Sequence, residues 1–272
     1  MTDILSLPKE TNIPYSDFEE IGMGASAIVG KVSKNGETIA IKLFLHPDPS
    51  SIQSEFTCIN KLNQNNCTNI VKLKDVHKFD LEAMLKIPCF RDNQNIYALK
   101  RNPRPFSDVY VFELEYLRGE NLVAYDYKQL SDSQISGIMK DLLIALMECH
   151  RCLIVHNDIS LANAVFNNQN GKTVLIDFGC SQEINGSSNC LYKCDIYSLG
   201  RVFYFLTTRS DDLKFKDCQV DEELQSMLSH LKSFNKILYK LAETCLLAES
   251  SPNCDLKKIY ARFFNTDSVM IR

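Results

Sequence analysis

No stretch of this 272-residue chain stays apolar for long. The longest such run, "LLIALM" at 142–147, is far shorter than the roughly 20 residues a membrane helix needs, so no membrane partner is expected. Charge of one sign is lacking too: the net charge is −4, which excludes a broad electrostatic footprint for nucleic acid. The opening "MTDILSLPKE" has neither the basic nor the apolar region of a secretory signal, and no lipidation box stands at either end. Internal repeats and low-complexity blocks are absent. These absences fit a cytoplasmic protein, or one in a host cytosol if it is viral or an effector. Cysteine is not scarce: there are 11, an odd number at irregular spacing in a chain long enough to need no staples. They read as reduced thiols. "CHRC" (Cys149, Cys152) and "CLYKC" (Cys190, Cys194) have no second ligand pair at standard zinc spacing. The first pair is expected to end a helix and the second to lie in a loop. Asn66 in "NCT" matches a glycosylation sequon that a cytosolic protein would not present to the modifying enzyme.

What is present is ordinary globular material, 45% apolar and 24% charged, enough for one large domain or two small lobes. Residues 1–16 form a Pro-punctuated lead-in. From Phe18 to Phe44 the pattern is strand, turn, strand, with Asn35-Gly36 as the hairpin signal. "SSIQSEFTCINKL" follows, with Ile52, Phe56, Ile59 and Leu62 at helical spacing and a Ser available as cap. "NIVKLKDV" and "VYVFELEYL" read as strands. Between them lies a polar, Pro-containing insert, about 80–107, expected to be a surface elaboration and a possible place for a protein partner. The second half is mostly helical: "SDSQISGIMKDLLIALMECHR", "CDIYSLGRVFYFLTT", "DEELQSMLSHL", "FNKILYKLAETCLL" and "DLKKIYARFF". The boundary between the halves falls near Leu117–Asn121, where "RGEN" interrupts the apolar strand.

Some residues suggest chemistry. In "GMGASA", Gly22 and Gly24 let the backbone approach phosphate oxygens, and the N–H groups of the turn around Ser26 can donate to them. Val29 follows, and then Lys42, alone among apolar strand neighbours. A lysine there is costly without an anionic partner, and Glu55 on the next helix can be that partner. Further on, "VHNDISLANAVFNNQNGKTVLIDFGCS" places Asp158 five residues before Asn163 and sets Asp177 after a short apolar strand.

Taken in this order, these segments resemble a eukaryotic-type protein kinase from about Phe18 to Phe264. "IGMGASAIVGKV" resembles the glycine-rich loop and "IAIK" the strand bearing the phosphate-binding lysine. "VFELEYLRGENL" resembles the hinge, with Leu114 as gatekeeper. "LIVHNDISLAN" resembles the catalytic loop, "LIDFG" the metal-binding motif, and "CDIYSLG" the start of a buried helix. The resemblance implies an α+β, two-lobe protein kinase-like fold over 17–268. A small antiparallel β-sheet lobe with one helix would span about 17–117, and a mostly helical lobe about 118–268. It implies ATP and Mg²⁺. Lys42, held by Glu55, would fix the nucleotide, and the backbone of Glu115 and Leu117 would meet the adenine edge. Asp158 would orient or accept the substrate hydroxyl proton, and Asn163 and Asp177 would ligate Mg²⁺. His156 is then a brace for the loop rather than a base, and Cys180 a small filler.

Five departures from the family pattern stand out. Ala27 replaces the third loop glycine, a mild change if its φ is negative. Asn157 replaces the arginine that meets a phosphorylated activation loop, which implies activity without such phosphorylation. Ser160 replaces a lysine aimed at developing charge, a loss that can cost about 10²–10³ in rate. Only 16 positions separate Gly179 from Asp195, with no Ala-Pro-Glu stretch. The arginine that pairs with that glutamate has no counterpart near "ESSPNCDLKK". Two rival readings follow: a pseudokinase that binds nucleotide and partners without transfer, and a small-molecule kinase of the choline or aminoglycoside type.

Overall fold

The computed structural model describes residues 3–24, 26–44, 48–99, 108–184, 189–210, 220–232, 237–248 and 255–264. The chain divides into two compact units: residues 1–63 with 71–117, and residues 64–70 with 118–272.

The first unit is built on a five-stranded antiparallel sheet in the order β1-β2-β3-β5-β4. Its strands are β1 (Ser16–Met23), β2 (Ala27–Lys34), β3 (Glu37–Phe44), β4 (Leu73–Asp80) and β5 (Asp108–Glu115). The β2–β3 hairpin turns at Asn35-Gly36, with φ of 52° and 81°. Two consecutive positive φ values fit the right-handed twist of the strands, which is why Asn-Gly serves there. Helix α1 (Pro49–Gln64) begins at a proline, whose missing N–H costs nothing in a first turn. The expected serine cap is instead Asp48. Its carboxylate accepts from the Ser50 N–H at 3.3 Å and the Ser50 hydroxyl at 2.8 Å, so the serine donates rather than caps.

β3 is central and buried on both faces. Ile39, Ile41 and Leu43 point to one side and Phe44 to the other, as the two-residue period of a strand requires. α1 covers the second side, where Ile52 and Phe56 meet Phe44 and Phe112. The insert covers the first. Residues 81–99, read from sequence as a polar surface loop, form α2 (Leu81–Met84), α3 (Pro88–Arg91) and α4 (Gln94–Ala98). Their Leu81, Met84, Leu85, Phe90, Ile96 and Leu99 are buried with Ile39, Ile41, Val109 and Val111 of the sheet. The rest of the insert, 100–107, lies outside the described residues. β4 also starts later than expected: "NIVK" precedes it, and Ile70 instead bridges to Leu175 in the second unit.

The second unit is mostly helical. α5 (Asp132–Arg151) opens on a capping box, Ser131 with Gln134, each side chain bonding the other's backbone N–H. Small sheets flank it in the sequence. β6 (Glu120–Asn121) pairs β8 (Ala164–Asn167), which pairs β9 (Lys172–Leu175), and β7 (Ile154–Val155) pairs β10 (Gln182–Glu183). α6 (Asn189–Thr208), α7 (Val220–Lys232), α8 (Ile237–Leu246) and α9 (Leu256–Phe264) complete the unit. α6 begins well before "CDIYSLG", so Cys190 and Cys194 lie in its first two turns and not in a loop. Cys149 and Cys152 do end α5. The stretch "ESSPNC" (249–254) falls outside the described residues. No described helix is long and apolar enough to cross a membrane.

Candidate active site

In the first unit, strand register aligns three of the expected residues. Gly22 pairs Val29 across β1–β2, and Val29 pairs Lys42 across β2–β3, so the three form one row across the sheet. Cross-strand partners share a face, which puts Val29 and Lys42 on the same side. The β1–β2 turn closes with the Gly24 N–H donating to the Ala27 carbonyl at 2.9 Å. Ser26 is exposed at that turn. A Cβ on Gly22 would come no nearer than 4.0 Å to Val29 Cβ, and one on Gly24 no nearer than 3.9 Å to the Ala27 carbonyl. Neither glycine has a positive φ. The protein's own packing therefore does not demand them, and what they keep open is the outer approach to the backbone. Ala27 has no positive φ either, so its replacement of glycine is without strain.

Lys42 Nζ donates to Glu55 Oε1 at 2.5 Å, and both side chains are buried. The Phe44 ring lies 5.4 Å from the same ammonium. Glu55 reaches it because it sits on the apolar stripe of α1, three residues after Ile52 and one before Phe56. At the end of β5, the Glu115 carboxylate accepts from the Lys72 N–H at 2.8 Å, and the Glu115 N–H donates to the Lys72 carbonyl at 2.9 Å. Leu114 and Leu117 are half-buried beside it.

In the second unit, three more expected residues lie on adjoining segments: the Ile176 N–H, one residue before Asp177, donates to the backbone carbonyl of Asn163 at 2.9 Å. Asn163 Nδ2 donates to Asp158 Oδ2 at 2.7 Å and to the Asp158 carbonyl at 2.9 Å. With its amide nitrogen so engaged, Asn163 presents its carbonyl oxygen to any cation. Asp158 and Asp177 are exposed, whereas Asn163 is buried. Asn157 and Asp177 both hold φ near +60°, at 63° and 62°. Non-glycine residues adopt that region at a cost, and such strain gathers where function over-determines the backbone. Asp177 Oδ1 accepts from the Gly179 N–H at 3.2 Å.

His156 is fully buried. Its Nδ1 accepts from the Asp158 N–H at 3.2 Å, which puts the proton on Nε2, 3.2 Å from the Ile176 carbonyl. Burial holds its pKa below the ordinary value despite nearby carboxylates. It therefore braces the loop from below, with the Phe178 ring edge-on at 4.9 Å.

Sequence reasoning treated Asp195 only as a landmark of its helix. It is 1% exposed, and its carboxylate accepts from the backbone N–H groups of His156 and Asn157, each at 2.8 Å. His150 Nε2 stands 3.0 Å from the same group. Asp195 thus ties α6 to the loop carrying Asp158. The legible signal was an acidic residue inside an apolar helical run, where burial requires partners.

Just after Asp177, Asn157 Nδ2 donates to the Cys180 carbonyl at 3.0 Å, and Ser181 Oγ to the His156 carbonyl at 3.2 Å. β10 then pairs β7, and the Ile184 N–H reaches the Leu153 carbonyl at 2.9 Å.

The sequence of residues 15–264 matches the protein kinase domain family. The chain belongs to that family. Among its relatives, a probable serine/threonine-protein kinase of Dictyostelium discoideum, fnkB, is 33% identical over 90 residues, or 31% of this chain and 17% of its own length. A non-specific serine/threonine protein kinase of Drosophila melanogaster is 32% identical over 72 residues, 26% of this chain and 11% of its own. A probable cell division control protein 7 homolog of Encephalitozoon cuniculi is 24% identical over 172 residues, 62% of this chain and 40% of its own. The chain thus spans well under two thirds of the length of each. The two units are the β-rich and helical lobes of a kinase fold, and each carries its own part of the expected site.

Proposed function

We propose that this protein is an ATP- and Mg²⁺-dependent kinase that transfers the γ-phosphoryl group to a Ser or Thr hydroxyl of a protein. The observation that carries the reading is the second-unit constellation: exposed Asp158 held by Asn163, whose backbone carbonyl takes the Ile176 N–H next to an exposed Asp177 with positive φ. Phosphoryl transfer asks the protein for alignment and charge neutralisation rather than covalent chemistry. Asp177 and the carbonyl of Asn163 are hard oxygen ligands that suit Mg²⁺. When bound, the metal neutralises charge on the phosphates. Asp158 orients the acceptor hydroxyl and takes its proton. Lys42, paired with and aimed by Glu55, holds the nucleotide phosphates under the open Gly22–Gly24 turn. Val29 offers apolar cover, and Glu115 and Leu117 offer backbone groups to the base. Because the Glu115 N–H is committed, its contribution is its carbonyl.

The short segment after Asp177 supports constitutive activity. Where other family members present an arginine that a phosphate must neutralise, Asn157 bonds the Cys180 carbonyl directly. Ser160 favours slow turnover or, in the extreme, a nucleotide-binding pseudokinase. An acceptor that is a small molecule is the other reading. A cytoplasmic location, a protein substrate and a partner at the insert belong to this proposal. Over residues 81–99 most apolar side chains are spent on the sheet, so a partner there would meet a largely polar outer face on which Tyr97 is exposed.

Incubation with γ-labelled ATP and Mg²⁺, with a generic protein substrate beside choline, sugars and aminoglycosides, tests the reading. Phosphoserine or phosphothreonine on protein is the expected result. Label on a small molecule alone, or nucleotide binding without any transfer, overturns it.

A further inference from the structure

The Pro-punctuated lead-in is not a loose tail. Asp3 caps a 3-10 turn, Ile4–Ser6, its carboxylate accepting from the Leu5 N–H at 3.0 Å. Ile4 is 0% exposed. It packs with Ile52 and Phe56 of α1 and with Tyr110 and Phe112 of β5, and half-buried Leu7 packs against the same group. Its backbone N–H donates to Gln53 Oε1 on α1 at 2.9 Å. A second anchor follows at Glu10, which bridges to β4: its N–H meets the Lys78 carbonyl at 2.8 Å, and its carbonyl takes the Asp80 N–H at 2.9 Å. The Glu10 carboxylate meets His77 Nδ1 at 2.9 Å, and Lys9 pairs with Asp108 at 2.5 Å. Residues 3–10 therefore run from the apolar face of α1 to the β4 edge, fastened at both ends.

The residues of α1 that Ile4 touches flank Glu55 on the same helical stripe. Glu55 is the residue that pairs Lys42, and a buried lysine that loses such a partner is strongly disfavoured. Whatever fixes the rotation of α1 therefore fixes the lysine. We propose that residues 3–10 are a strap that holds α1 in register for the Lys42–Glu55 pair, and that Ile4 is a positioning residue for phosphoryl transfer. The site under the strap recognises a branched apolar side chain next to a backbone N–H that can reach Gln53. The chain's own first segment is its ligand. This rests on the function proposed above for Lys42.

The full chain carrying Ile4→Asp tests the strap through three readouts. These are hydrogen exchange across α1 (49–64) and β3 (37–44), KM for ATP against kcat, and rescue by a synthetic peptide of residues 1–12. We expect α1 to exchange faster while β3 keeps its protection. We also expect kcat/KM for ATP to fall about tenfold, an ordinary coupling between sites. The wild-type peptide should restore both, and the same peptide with Ile4→Asp should not. Wild-type exchange across α1, or a loss that neither peptide repairs, overturns the proposal. If β3 also loses protection the variant has unfolded, and Ile4→Ala, which buries no charge, is judged by the same criteria. Should the wild type transfer no phosphate, the proposed function fails, while exchange across α1 still decides the strap.

Discussion

Three groups converge on one carboxylate oxygen at Glu113 of β5. The Tyr15 hydroxyl donates to Oε1 at 2.7 Å, Lys34 Nζ donates to it at 2.6 Å, and His77 Nε2 stands 3.0 Å away, close enough for an ion pair though not aligned as a hydrogen bond. Among the described residues, Asp75, His77 and Glu113 are the one group of His, Cys and carboxylates near enough to share a metal ion. The Lys34 ammonium already supplies a cation to that oxygen. Burial alone would push the Glu113 carboxyl up, but His77, Lys34 and Tyr15 outweigh it and hold the pKa down to about 2. Burial alone would likewise lower His77, and the Glu113 and Glu10 carboxylates raise it instead. A depressed carboxyl contributes stability that is present above its unfolded value, near 4.5, and lost as pH falls toward about 2. Thermal unfolding of wild type should therefore lose stability through that window. Glu113→Gln should be less stable at neutral pH and flatter across the acid range. Parallel curves for the two proteins would contradict this. None of the cluster was legible beforehand: Tyr15, Lys34, His77 and Glu113 sit on four segments that only the sheet register brings together. Lys42 and Glu55 were legible, because a lysine between apolar strand neighbours demands a partner and the next helix offered a carboxylate on its apolar stripe.

Elements were read best where the period had room to show. α5, with 20 residues and a capping box, is plain in the sequence. The insert was misread because its apolar residues are divided among helices of four and five residues, too short for a 3.6-residue period to declare itself. Phe90 is the clearest case. It is fully buried, 5.1 Å from the Phe18 ring and 6.4 Å from Tyr15. Phe90→Ala should destabilise the protein by about 3–5 kcal/mol, the usual cost of a core Phe-to-Ala truncation, measured by urea unfolding. A cost under about 0.5 kcal/mol, the size of an ordinary surface change, would mean the insert is not part of the core. The segment after Asp177 supports another test. Pairing of β10 with β7 and the Asn157 bond hold it without any phosphate. Phosphatase treatment should leave the transfer rate unchanged, and a large loss would show that a phosphorylated side chain does the work assigned to Asn157.

As a whole, the chain carries the residues of the proposed site on two units of different construction. A sheet covered on both faces fixes a lysine and an open glycine turn in one row. A helical unit fixes an aspartate through Asn163, His156 and, by way of Asp195, its buried helix α6. The order of motifs along the sequence made the family legible, because each motif is local. What the order could not reveal is the bracing: Asp195 and Ile4 act through backbone N–H groups and packing that arise only when distant segments meet.

In the function proposed here, Asp158 serves transfer rather than folding or nucleotide binding. The most direct measurement compares γ-phosphoryl transfer and Mg²⁺-ATP affinity in wild type and Asp158→Asn, a near-isosteric change at an exposed side chain. In Asp158→Asn, transfer should fall about 10²–10⁴-fold, the range for a lost general base, while ATP affinity holds within about twofold. Equal transfer by both proteins would contradict it.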